Sequence, residues 1–210
     1  MPALPRHLER TPAGTFSGER FLSGDLLETI DVIGQAVSEL EALAEWLLEH
    51  GLGPLGLLGM SLGGLTAVQL LAVSHAFSAA MLLAPVPDAS RSLFESPIGR
   101  SIRVDWQAAG ATRADLDAVF KPLSPACRPP QLPPGALRLV YGLYDQVVLP
   151  DDVQAMGRLW GAEVWEAKES HLGLISAPDV RSQGARWFAD RLAEADTASM
   201  PAPIGAPTTI

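Results

Sequence analysis

The order of apolar runs in this sequence predicts an α/β fold, a mostly parallel sheet flanked by helices. Three observations carry that expectation. Short apolar runs alternate with stretches of helical periodicity, the arrangement that parallel strands and crossover helices require. The pentapeptide Gly59-Met60-Ser61-Leu62-Gly63 stands at one strand–helix junction. The chain has 210 residues, 48% of them hydrophobic, enough for one domain with a sizeable core.

Residues 1–24 hold Pro, Gly, Ser and Arg without period and read as irregular. Asp25 with Glu28 three residues later forms a capping-box-like start. Leu26, Ile30, Ile33, Val37, Leu40, Ala44 and Leu47 then recur at helical spacing until Gly51. The first strand spans 55–59. The helix after Ser61 has no polar face before Gln69, so it is expected to lie buried on the sheet. A second strand spans 79–84. Residues 86–135, rich in proline, read either as a lid-like insertion or as a surface connection, with a helix over 113–120. A third strand ends at Gly142, a helix runs from Asp151 to Trp160, and Glu163 to Ala167 form the last strand. Pro178 opens a final helix. One domain over 1–195 and a disordered tail over 196–210 are expected.

Composition excludes several function classes. A net charge of −9 without a basic run argues against nucleic acid as partner. Cys127 is the only cysteine, so no internal disulfide forms, and its bland reading is a spectator thiol. No stretch approaches the ~20 apolar residues of a membrane span, no leader is visible, and the cytoplasm is the expected location. No metal-ligand spacing and no phosphate loop is present, so neither metal nor cofactor is expected.

The glycine-flanked serine reads as a nucleophile elbow, a tight strand-to-helix turn that exposes the hydroxyl. Glycine is expected at both flanking positions because a β-carbon there would collide with a neighbour. A serine hydroxyl needs a base, and His171, in the loop after the last strand, has the side chain to serve. Asp145, at the end of the third strand, would hold the imidazole tautomer and stabilise the imidazolium. The N–H of Leu62, at a helix N-terminus, is the first candidate oxyanion donor. The bland alternatives are a structural turn serine and a turn acid. Asp88, after the second strand, is the rival acid. His50 and His75 read as helix-end residues.

With Ser61, Asp145 and His171 in that order, the chain resembles the α/β-hydrolase superfamily over about residues 1–195. The resemblance implies a serine hydrolase acting on a carboxylic ester or related acyl bond of a small molecule. A peptidase or thioesterase would use the same residues. It also implies several strands before the elbow strand and a second oxyanion donor from a preceding loop. Here only about fifty residues precede that strand, and His7 is followed by Leu8 where His-Gly is common in the superfamily. The expectation is therefore a core lacking its first strands, whose start lies upstream or whose missing half comes from a partner. The elbow strand would then be an open edge, prone to self-association. A second reading follows: a catalytically impaired fragment or pseudoenzyme that serves as an interaction module.

Overall fold

A computed structural model describes residues 2–133 and 135–199. Its four strands are β1 (Leu55–Met60), β2 (Phe77–Leu83), β3 (Leu137–Gly142) and β4 (Glu163–Ala167). They form one parallel sheet in the order β1-β2-β3-β4. The helices are α1 (Leu26–Glu49), α2 (Leu62–Leu71), α3 (Ala89–Glu95), α4 (Arg100–Ala108), α5 (Arg113–Phe120), α6 (Pro150–Trp160), α7 (Gly173–Ser176) and α8 (Pro178–Ser199).

Helix α1 begins where its cap predicts: the Asp25 carboxylate accepts from the N–H groups of Leu27 and Glu28. Pro150 opens α6, and Gly161, left-handed at φ 60°, closes it. Two opposite faces of β1 explain how the sheet is sandwiched. A β-carbon on Gly56 would meet Phe188 of α8 at 2.6 Å, and one on Gly59 would meet the Gly63 carbonyl of α2 at 2.7 Å. Residues 56 and 59 point to opposite faces of a strand, so α8 and α2 cover opposite sides.

The central core joins the middle strands to α2, α6 and α8 through Leu70, Leu82, Leu139, Met156 and Val180. Each such side chain contributes about 1.5–3 kcal/mol on burial. A second apolar cluster lies above α2. There Phe21, Val32, Ile33 and Leu65 meet Leu93, Trp106, Leu116 and Phe120. It ties residues 86–135 to α1 and the N-terminal segment, and the Trp106 indole N–H donates to the Gly24 carbonyl at 2.9 Å.

Several boundaries differ from expectation. Strand β2 starts at Phe77, two residues before the expected Ala79, and ends where Ala84 takes φ 41°. Helix α2 stops at Leu71, so His75 lies in the connection to β2 and does not end a helix. Helices α3 and α4 carry too many polar residues and prolines nearby to be read from periodicity. Residues 196–199, expected in the tail, continue α8, while residues 200–210 of that tail lie outside the described residues.

The two outer strands differ. On β4, Glu163 takes a bidentate pair from Arg138 of β3 at 2.7 Å, and that guanidinium stacks 4.9 Å over Trp187. Strand β1 has no charged residue and no neighbour on its outer side among the described residues. The Ser61 N–H donates to Leu83 of β2, so by the two-residue period Leu58 and Met60 turn their N–H and C=O groups outward. Leu58 is 65% exposed.

Candidate active site

Ser61 links β1 to α2 with φ 50° and ψ −115°. This conformation is rare for a residue with a β-carbon, costs about 1–3 kcal/mol, and survives only where the surroundings enforce it. Two bonds do so. The Ser61 N–H donates to the Leu83 carbonyl at 3.0 Å, and its carbonyl accepts from Leu65 N–H at 2.9 Å as the first bond of α2. The turn is tight on one side only. Gly59 has no room for a β-carbon, whereas a β-carbon on Gly63 would meet nothing within 4 Å. The second crowded glycine is Gly64, where a β-carbon would lie 2.8 Å from Pro85 Cα. The expectation that both flanking glycines avoid collisions therefore holds for Gly59, and Gly64 takes the role assigned to Gly63.

Asp145 follows β3 in a loop and is 4% exposed. Its Oδ1 accepts from the N–H groups of Val147 and Val148 at 2.8 and 3.0 Å. That turn leaves Oδ2 free to face His171, whose Nδ1 lies 2.8 Å away. His171 is 8% exposed and stands in the loop between β4 and α7. The loops after β3 and β4 are laced together, with Leu143 N–H on the Ala167 carbonyl and Tyr144 N–H on the Glu169 carbonyl. Gly142 allows this approach, since a β-carbon there would come within 2.5 Å of the Glu169 carbonyl.

The other imidazole nitrogen, Nε2, lies 2.8 Å from Ser61 Oγ, 110 residues away in sequence. A carboxylate only accepts, so Nδ1–H donates to Asp145, and Nε2 is left to accept the Ser61 hydroxyl proton. Ser61, His171 and Asp145 thus form one hydrogen-bonded chain. Asp88, the rival acid, does not join it, because its carboxylate caps α3 by accepting from Arg91 N–H at 2.8 Å.

Leu62 begins α2, where first-turn N–H groups have no acceptor within the helix. The Leu8 N–H, in the segment compared above with the oxyanion loop, donates to Ser17 Oγ at 2.9 Å instead. His7 is likewise engaged, with Nδ1 2.9 Å from the Pro5 carbonyl. Beside Ser61 a cavity of about 510 Å³ opens between α2, α3, α4 and the N-terminal segment. Phe16 and Leu22 belong to its wall. Sequence reading missed them, and the one available signal was the apolar pair Phe21-Leu22 in an otherwise polar stretch. Trp106 and Phe120 do not line it and pack in the second apolar cluster. Among the described residues no group of His, Cys, Asp and Glu is placed to hold a metal, and no helix is long and apolar enough to cross a membrane.

Comparison with known proteins bears on this architecture. Residues 26–103 match the family model described as alpha/beta hydrolase domain containing 18. No curated protein sequence matches the chain. Among solved structures, a Pyrococcus horikoshii acylaminoacyl peptidase is similar at TM-score 0.56 and 19% identity, over 80% of this chain and 28% of that one. A Mycobacterium tuberculosis puromycin-hydrolyzing peptidase gives 0.53 and 20%, over 64% of this chain and 22% of its own. A Pyrococcus furiosus esterase gives 0.53 and 18%, over 75% and 62%. The chain thus spans about a fifth to three fifths of these structures. Their low identity speaks to fold alone. With four parallel strands between flanking helices and a serine at the strained strand-to-helix turn, the chain has the α/β-hydrolase fold.

Proposed function

We propose that the protein is a serine hydrolase that cleaves a carboxylic ester, or a related acyl bond, through an acyl-enzyme on Ser61. The observation that carries this reading is the chain of 2.8 Å contacts from Ser61 through His171 to Asp145. In the first half-reaction the Ser61 oxygen attacks the carbonyl carbon while His171 Nε2 takes its proton. Asp145 stabilises the resulting imidazolium. The tetrahedral oxyanion is held by the Leu62 N–H and the positive end of α2. Collapse of the intermediate breaks the bond between the acyl carbon and the alkoxy oxygen, and His171 gives its proton to the departing alcohol. In the second half-reaction His171 deprotonates a water molecule that attacks the acyl carbon. Collapse of this second intermediate breaks the acyl carbon–Ser61 Oγ bond, His171 returns the proton to Oγ, and carboxylic acid and free Ser61 result, with one water consumed per ester. Helices α3 and α4, which wall the cavity, serve as the lid. A single cysteine, exposed, suits the reducing cytoplasm.

A second reading has its own observation. Strand β1 has no neighbour on its outer side among the described residues, and Leu62 supplies a single oxyanion donor. Losing one donor typically costs about 10²–10³ in turnover. On this reading the chain is an impaired hydrolase that associates with a second copy through that edge. Labelling with a fluorophosphonate, with Ser61→Ala and His171→Ala in parallel, separates the two. Labelling mapped to Ser61 and lost in both variants supports the enzyme. A folded protein that stays unlabelled overturns it.

A further inference from the structure

The cavity beside Ser61 is lined mainly by apolar side chains, with Glu19, Ser92 and Ser96 among the remainder. Separated stretches of chain supply its walls: Leu22 before α1, Leu93 and Ile102 on α3 and α4, and Val148 after β3. Leu65 of α2 adds to them. Glu19 is the one charged side chain among its described lining residues, and its Oε2 accepts from Phe16 N–H at 2.8 Å. Among the described residues no lysine or arginine lines it. Ser92 contributes a hydroxyl, but its Oγ is sealed from solvent. A ligand here meets apolar surface on several sides, with a negative charge as the only fixed charge.

These features discriminate between substrates. A volume of about 510 Å³ lies within the ~300–1,000 Å³ of sites that enclose small molecules. An anionic acyl group entering it would lose water, find no cation and be repelled by Glu19. A peptide would find few groups to pair its amides. An aliphatic chain would bury each methylene at a gain of about fourfold in affinity.

Resting on the reading of Ser61 as nucleophile, we propose that this cavity is an acyl pocket selecting uncharged aliphatic acyl groups of medium length over acetyl and acid-bearing ones. Ile102 and Leu22 set its length limit from two separate walls.

Binding to the Ser61→Ala protein tests the pocket without turnover. Calorimetry with the p-nitrophenyl esters of acetate, hexanoate and hemisuccinate should give hexanoate at least tenfold tighter than either of the others. Ile102→Trp, or Leu22→Trp should the first fail to fold by circular dichroism, should erase that preference. Equal affinities, or tighter hemisuccinate binding, overturn the proposal. Fluorophosphonate labelling of the native protein reads the nucleophile separately. Labelling without chain-length preference overturns the pocket and leaves Ser61 standing. Chain-length preference without labelling upholds the selectivity and removes the nucleophile.

Discussion

The two glycines that frame Ser61 sit in opposite environments, and replacing each by alanine should move stability in opposite directions. A β-carbon on Gly59 would lie 2.7 Å from the Gly63 carbonyl and 3.0 Å from Ala67 Cβ. Unstrained carbon contacts are about 3.5–4.0 Å, so α2 must retreat from β1 by roughly half an ångström. Both obstacles sit on the first two turns of α2, and neither is the flexible end of a side chain. Overpacking of this kind costs about 1–3 kcal/mol. For a chain of this size that lowers Tm by roughly 2–4 °C per kcal/mol, so a fall of about 2–12 °C is expected for Gly59→Ala. Gly63 lies in α2 with ordinary helical φ and open space about its missing β-carbon. Gly63→Ala should therefore add up to about 1 kcal/mol of helix propensity and leave Tm unchanged or raised by a few degrees. Differential scanning calorimetry measures both. Fluorophosphonate labelling should slow in Gly59→Ala, because the retreat of α2 carries Ser61 away from His171. Equal losses of Tm in the two variants, or a larger loss for Gly63→Ala, would refute the packing argument.

Three further outcomes are expected. Asp145→Asn keeps an acceptor for the Val147 and Val148 N–H groups but can hold His171 in the wrong tautomer. On the proposed mechanism, turnover of a p-nitrophenyl ester should fall by about 10⁴ with little change in Tm, and an active variant would remove Asp145 from that mechanism. Burial pushes the Asp152 carboxyl above its ordinary value of 3.8, against the pull of Arg91, with Asp88 and Glu95 adding to the rise. The folded state thus binds this proton more tightly than the unfolded chain. Native stability relative to Asp152→Asn should increase as pH falls from neutral through the raised value toward 3.8, as urea titrations at pH 7 and 4.5 would record. A pH-independent difference would count against it. Leu58→Lys, on the open edge, should change stability by no more than about 0.5 kcal/mol and abolish any concentration-dependent association in sedimentation velocity. Association that persists in the variant excludes β1 as the interface.

Much of the fold was legible because its signals are local. The Asp25 cap, the period from Leu26 to Leu47, the Pro150 start and Gly161 stop of α6, and the β1–α2 junction all lie within a few residues of their cause. Helices α3 and α4 were not legible. Their short amphipathic faces close against Phe21, Val32 and Leu65, which are distant in sequence. The same holds for β2, whose first residues, Phe77 and Ser78, enter the sheet by pairing next to Leu55. At the site, residue types and chain order pointed to Ser61, Asp145 and His171. The choice of Asp145 over Asp88 rested on position alone until the structure put one carboxylate on His171 and the other on the α3 cap.

By itself the sequence determined the alternation of strands and helices, the tight turn at Ser61, and the candidate residues Ser61, Asp145 and His171. Those features follow from backbone sterics, side-chain chemistry and spacings of one to four residues, which hold wherever the segment sits. Tertiary structure alone decided which glycines are crowded, which carboxylate lies against the imidazole, and that Phe16 and Leu22 wall the cavity. Each depends on the approach of segments tens of residues apart. A packed core sets that approach to within an ångström, and no local pattern encodes it.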